Sequence, residues 1–267
     1  MSRTHQPGAP LPLHTDEGTG SALLLIHGHP FDRTMWAPQI EEFSRTHRVI
    51  APDLRGYGGA PAAPGTTLLG DFAADVLALA DALGVERFTL GGLSMGGQIV
   101  MECYRLFPER IEGLLLADTF PAAETPEGRV ARDAMAEHLV REGMAGYAEE
   151  VLDKMVAPYA PESVRAHVRR MMTATHPEGA AAALRGRARR PDYRALLITV
   201  DVPAVVVVGR DDTYTPVADA EAMHAAIAGS ALVVVDNAAH MPNLEQPALF
   251  NEALRGLLST VAARAKA

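Results

Sequence analysis

The feature that most constrains this chain is Gly92-Leu-Ser-Met-Gly96, five residues between a short apolar run ending at Leu90 and an amphipathic stretch opening at Met95. A backbone that reverses from strand to helix in so few residues forces the central serine into a strained conformation. It tolerates only residues without bulk two positions to either side, which accounts for Gly92 and Gly96. The strain holds the Ser94 hydroxyl out of the sheet, and the helix start aims free backbone N–H groups at any oxyanion formed beside it. A glycine-rich turn with an incidental serine would spell the same five letters. The strand before it and the helix after it separate the two cases.

The rest of the sequence repeats that alternation. Residues 22–26, 49–51, 87–90, 111–117, 202–208 and 232–235 are apolar runs of strand length. Residues 34–45, 68–83, 95–107, 217–227 and 247–258 have helical spacing, with Gly84 and Pro108 as stops. Fully apolar strands alternating with helices predict a mostly parallel central sheet buried on both faces and flanked by helices. Residues 11–16 supply an antiparallel edge strand. At 267 residues, 48% of them apolar and 21% charged, the chain suits one large domain with a modest insertion. That insertion is residues 121–194, where strand-like runs vanish and Pro126, Pro158, Pro161, Pro177 and Pro191 punctuate Met, Ala, Arg and Glu. Three or four short helices are expected there, forming a cap (lid) over the sheet's carboxyl edge, where open α/β sheets bind ligands. The core is then 11–120 and 195–262, with 1–10 and 263–267 as flexible tails.

The formal net charge of -9 disfavours a nucleic-acid partner, which would want a basic face. No apolar run is long enough to span a bilayer, so no membrane partner is expected. A single cysteine, Cys103, excludes an intrachain disulfide, and residues 1–10 carry no apolar leader; a cytoplasmic location and a small-molecule substrate follow as expectations. The oligomeric state is not readable. The run Arg185-Gly-Arg-Ala-Arg-Arg190 is read as a solvated helix end beside Pro191 rather than as a carboxylate-binding site.

A serine hydroxyl is a poor nucleophile at neutral pH and needs a base. Of ten histidines, His5, His14 and His47 fall in tail or surface segments, and His138, His167, His176 and His224 in the lid or on helices. His240 differs. It lies in the loop between the last strand and the last helix, at the same sheet edge as Ser94. An acid to orient it should close the preceding strand, where Asp211 and Asp212 stand side by side; Asp118, after residues 111–117, is a third candidate. The residues alone leave that choice open. His27-Gly-His29 has no further ligands at zinc-like spacing, so no metal is expected, and the chemistry requires no cofactor.

The chain resembles the α/β-hydrolase superfamily, in particular its branch of 3-oxoadipate enol-lactonase-like enzymes, bacterial arylesterases and cofactor-free haloperoxidases. The segments that carry the resemblance are His27-Gly-His-Pro30, Asp53-Leu-Arg-Gly-Tyr-Gly58, Gly92-Leu-Ser-Met-Gly-Gly97, 209–216 and His240-Met-Pro-Asn-Leu-Glu-Gln-Pro247. The resemblance implies an α/β-hydrolase fold with a helical lid, and a triad of Ser94, Asp212 and His240 in that chain order. The Gly-x-x-Asp-x-x-x-Pro spacing of the family is what selects Asp212. It further implies an oxyanion hole from the backbone N–H groups of His29 and Met95, a turn-stabilising role for His27, and a loop-bracing role for Asp53 and Arg55.

On that reading the expected activity is hydrolysis of a small-to-medium carboxylic ester or lactone through an acyl-enzyme. Using the same triad for C–C, amide or lactam hydrolysis, or for perhydrolysis, is the alternative; a hydrolase-fold binding protein without turnover is a further one. The substrate pocket is expected to draw on Phe31, Trp36, Phe120 and Met241, with Met135, His138, Met144, Tyr147, Met155 and Tyr159 from the lid. An enol-lactone would want a cation for its carboxylate, and the sequence assigns no single arginine to it.

Overall fold

The computed structural model describes residues 12–62 and 64–266. Seven strands form one sheet: β1 (His14–Glu17), β2 (Ala22–Ile26), β3 (Arg48–Pro52), β4 (Phe88–Leu93), β5 (Ile111–Ala117), β6 (Ala204–Gly209) and β7 (Ala231–Val235). Their order is β1-β3-β2-β4-β5-β6-β7, with β1 antiparallel to β3 and every other pairing parallel. Helices α1 (Ala37–Phe43), α2 (Leu69–Ala82) and α3 (Met95–Leu106) lie among the first five strands. Between β5 and β6 the chain runs through α4 (Pro126–Glu142), α5 (Met144–Met155), α6 (Glu162–Ala174), α7 (Pro177–Arg187) and the single turn α8 (Arg194–Leu197). It finishes with α9 (Val217–Ala226), α10 (Pro242–Glu245) and α11 (Pro247–Arg264). This is the α/β-hydrolase fold expected from the sequence.

The apolar strands are explained by where alternate side chains go. Leu23 and Leu25 of β2 enter one hydrophobic cluster, while Leu24 and Ile26 enter the other, on the opposite face. Strand β6 divides the same way, with Val205 and Val207 on one face and Val206 and Val208 on the other. Each such side chain contributes about 1.5–3 kcal/mol on leaving water. A sheet covered on both faces therefore needs no polar alternation.

Two of the boundaries that differ from expectation have a visible physical cause. Strand β4 runs on through Gly91 and Gly92, which the sequence suggests as a strand end. Both continue the ladder against Leu25 and Ile26, and an added Cβ at Gly91 would stand 2.9 Å from Leu115 and 3.0 Å from Leu25. Close packing of neighbours, not a turn, requires that glycine. The last helix extends through Arg264, whose guanidinium donates to the Asp201 carbonyl, so residues 263 and 264 belong to α11 rather than to a tail. The expected N-terminal tail, Leu11 of the edge strand and Ala267 lie outside the described residues. Among the described residues, no helix is long and apolar enough to cross a membrane.

Candidate active site

Ser94 joins β4 to α3 with φ 58° and ψ -115°, a conformation that costs a non-glycine residue about 1–3 kcal/mol. Its flanks show why no larger residues stand there. A Cβ at Gly92 would lie 2.3 Å from the Gly96 backbone, and one at Gly96 would lie 2.1 Å from the Ile26 carbonyl oxygen. The turn is pinned from the next strand: Ser94 N–H donates to the Ala117 carbonyl at 2.9 Å, and the Thr119 hydroxyl donates to the Ser94 carbonyl at 2.7 Å.

The same strand-end hydrogen bonding carries across the sheet. Asp118 N–H donates to Val207, Arg210 N–H to Val235, and Asp211 N–H to Ala238, each at 2.9 Å. Four loops at the carboxyl ends of β4 to β7 are thereby tied edge to edge, and His240 hangs from the last of them. Glu245 fixes that loop from behind, accepting the N–H groups of Ala239 at 3.0 Å, Met241 at 3.2 Å and Ala157 at 2.7 Å.

His240 Nδ1 meets Asp212 Oδ2 at 2.7 Å, both side chains buried. Asp212 also accepts from the Thr215 hydroxyl and from the N–H groups of Tyr214 at 2.7 Å and Thr215 at 3.2 Å. Burial alone would raise its pKa; the imidazole and these hydrogen bonds outweigh burial and hold it below the usual carboxylate range. The ring of Tyr214 lies 5.3 Å from that of His240. No hydrogen bond joins Ser94 Oγ to His240 Nε2 in this structure; such contacts commonly tighten only once substrate is bound.

The rival acids are disposed of differently. Asp211 turns outward to accept from the Tyr159 hydroxyl. Asp118 stays beside the pair, with Oδ1 accepting from Gly209 N–H at 2.9 Å. Burial, followed by the charge of Asp212, pushes its pKa well above the ordinary value. Asp118, Asp212 and His240 bring donor atoms within 4.8 Å of one another, the reach of a metal site. Yet burial and the neighbouring Asp212 disfavour charge on Asp118, and the imidazole nitrogen facing Asp212 is already taken.

On the other side of Ser94 comes the turn His27-Gly28-His29. A Cβ on Gly28 would stand 3.3 Å from the Ser94 Cβ, so this turn lies directly against the serine. His27 is buried, donating from Nδ1 to the Gly28 carbonyl at 2.8 Å and accepting Leu54 N–H on Nε2 at 3.0 Å. That is the bracing role expected of it. Asp53 likewise accepts from Arg33 and from Gly59 N–H, while Arg55 pairs with Asp75. His29 Nδ1 lies 2.8 Å from the Tyr57 hydroxyl, which also points at Met95 Sδ, and Nε2 has no partner. Burial, then Arg187 and Arg132, push the pKa of His29 well below the histidine range. It is a neutral imidazole.

Of the expected pocket residues, Phe31, Met144, Met155 and Met241 are buried in the cluster on this face, Met135 packs against it, and Tyr147 comes within 6.2 Å of the His29 ring. Phe120 is half-buried beneath the Arg190 guanidinium, 4.8 Å above its ring. Trp36 is buried in the same cluster, its ring 6.0 Å from that of Phe250 of α11. Two expectations are corrected. His138 is exposed on α4 beside Arg141. Tyr159 is exposed and spent on Asp211. The arginine run is corrected too: Arg187 and Arg190 are buried rather than solvated. Tyr57, Gln98, Tyr214 and Glu245 stand around the site without having been assigned a role. Tyr57, Tyr214 and Glu245 lie inside the Asp53–Gly58, 209–216 and His240–Pro247 segments that carry the resemblance, whereas Gln98 falls just outside Gly92–Gly97.

A strained serine and a carboxylate-paired imidazole thus stand on one rim of this sheet. The chain belongs to the alpha/beta hydrolase family, which it matches over residues 23–253. It is 39% identical to a thermophilic esterase of Thermogutta terrifontis, solved with malate bound, with a TM-score of 0.91 over 93% of each chain. It is also similar to the enol-lactonase of Burkholderia xenovorans LB400, at 29% identity and a TM-score of 0.86 over 92% of this chain and 96% of the other. Among curated proteins, 3-oxoadipate enol-lactonase 2 of Acinetobacter baylyi is 30% identical over 240 residues, 89% of this chain and 88% of its own length.

Proposed function

We propose that this ester-acting hydrolase cleaves small-to-medium carboxylic esters or lactones with Ser94 as nucleophile, His240 as base and Asp212 as the orienting acid. The observation that carries the reading is the 2.7 Å Asp212–His240 hydrogen bond, buried on the rim that holds the strained Ser94. His240 Nε2 takes the Ser94 proton as Oγ attacks the carbonyl, and Asp212 stabilises the imidazolium. The N–H groups of His29 and Met95 receive the oxyanion; each such donor is worth about 3–4 kcal/mol in sites of this kind. The imidazolium then protonates the departing alkoxide, and a water activated by the same base releases the acyl group from Ser94. Helices α4 to α7 serve as the lid that decides which acyl and alcohol groups enter.

Fluorophosphonate labelling of the wild type and of Ser94→Ala tests the reading. Labelling and ester turnover lost together in the variant support it. A folded wild type that neither labels nor turns over any ester or lactone would overturn it in favour of a binding protein. Assaying lactams, vinylogous keto-acids and peroxide alongside the esters reads out the other chemistries open to the same triad.

A further inference from the structure

Arg187, at the end of α7, is a buried arginine with no carboxylate beside it. Its Nε donates to the amide oxygen of Gln98 at 3.1 Å. Neither terminal guanidinium nitrogen has an ion-pair or hydrogen-bond partner among the described residues. Its neighbours repel it. Burial first, then Arg132 and Arg190, push its pKa well below the ordinary arginine value. The carboxylate in this cluster is already committed, since Glu124 accepts from Arg132 and, at 3.0 Å, from Arg190 Nη1. Arg190, by contrast, has a carboxylate partner, and only its Nη2 is left without a hydrogen bond. It also donates to the carbonyls of Ala122 at 2.8 Å and Arg187 at 3.0 Å, and stacks over Phe120.

The guanidinium is tied to the helix that opens at Ser94. Gln98 is one helical turn beyond Ser94, its N–H bonded to the Ser94 carbonyl at 3.2 Å. The charge of Arg187 bears on His29, Tyr57 and Tyr147, the residues around the candidate oxyanion hole. Helix α7 is fixed behind it. A Cβ on Gly186 would stand 1.7 Å from the Thr67 carbonyl oxygen, and Thr67 N–H donates to Ala182 at 3.0 Å. Gln98 spends its oxygen on Arg187, and its Nε2 is a buried donor without an acceptor. A buried cation in such company needs an anion, and a carboxylate fits a guanidinium whose two terminal nitrogens are both free.

We infer that Arg187 and the Gln98 amide form a subsite for a carboxylate borne by the substrate, so that the preferred substrates are half-esters of dicarboxylic acids or lactones with a free carboxylate. This rests on the hydrolase reading above and names the substrate class for it.

The test pairs monomethyl glutarate with methyl pentanoate, which replaces the carboxylate by a methyl group, and adds glutarate itself as a ligand in thermal melts. The wild type should prefer the anionic ester and be stabilised by glutarate. In Arg187→Met the anionic-over-neutral ratio of kcat/KM should fall by about tenfold or more, with the glutarate shift abolished. Gln98→Glu, which retains the arginine but hands it a carboxylate, should do the same and covers the case in which Arg187→Met does not fold. Equal loss on both esters with an undiminished ratio, or no glutarate shift in the wild type, would overturn the subsite. If neither ester is hydrolysed while glutarate still stabilises the wild type but not Arg187→Met, the hydrolase reading fails and the subsite stands.

Discussion

Asp118 and Asp212 bring two buried carboxyl groups within 4.8 Å of each other, and their surroundings drive the two acidities apart. Two adjacent carboxylates do not both ionise cheaply, so the one with fewer hydrogen-bond donors has its acidity weakened. Asp212 has the imidazole; Asp118 has only a backbone N–H. Asp212→Asn should lower kcat by about 10⁴-fold, through the wrong imidazole tautomer. Asp118→Asn replaces a carboxyl of weakened acidity by a near-isostere and should keep kcat within about tenfold. Steady-state kinetics on a p-nitrophenyl ester ranks the two, and the reverse order would make Asp118 the acid.

Glu124 gives the protein a stability that depends on acid pH. Burial would raise its pKa, but Arg132 and Arg190 hold it down at about 2, against an ordinary 4.5. Between those values the unfolded chain binds the proton and the folded one does not, so this stabilisation is complete above 4.5 and is lost as pH falls towards 2. Chemical denaturation of Glu124→Gln across that window should show a flatter dependence of stability on pH than the wild type. Parallel curves would count against the pairing.

Two glycines should respond oppositely to alanine. Gly96→Ala places a methyl group against the Ile26 carbonyl and should cost about 3 kcal/mol or more, about 6–12 °C in Tm. Gly256 lies within α11 with nothing near its missing Cβ. Gly256→Ala should therefore stabilise by up to about 1 kcal/mol, from helix propensity alone. Calorimetry on both variants decides.

Tyr147 and Tyr159 separate the inside of the helical region from its outside. Tyr147 is buried near His29, whereas Tyr159 is exposed. Tyr147→Ala should reduce kcat/KM by about tenfold, the equivalent of one lost aromatic contact. Tyr159→Phe, which removes only the bond to Asp211, should leave kcat/KM within about twofold. A large effect at Tyr159 would put that face over the substrate path.

The serine turn and the alternation of strands were legible because both are periodic or steric consequences of local sequence. His240 followed from its loop position once the last strand was placed. The burial of Arg187 was not legible, and α7 shows why. Its Gly-Ala-Ala-Ala-Ala run is small on every side, so no apolar stripe marks the face that packs inward. A charged run after such a helix reads as solvent-facing until the helix is docked. The weakened acidity of Asp118 comes from burial and then from a neighbour 94 positions away, and spacing along the chain carries no trace of either.

Strands β5 and β6 pair directly, Leu114 with Ala204 and Ala117 with Val207, even though all of α4 to α8 is strung between them. The exit and re-entry points of that excursion are thus neighbours already, held by ladder bonds that owe nothing to what the helices contain. Lengthening, shortening or exchanging the segment changes the entropy of closing it only logarithmically. The rim that carries Ser94 is therefore closed by the sheet itself, whatever length of chain is strung between those two strands.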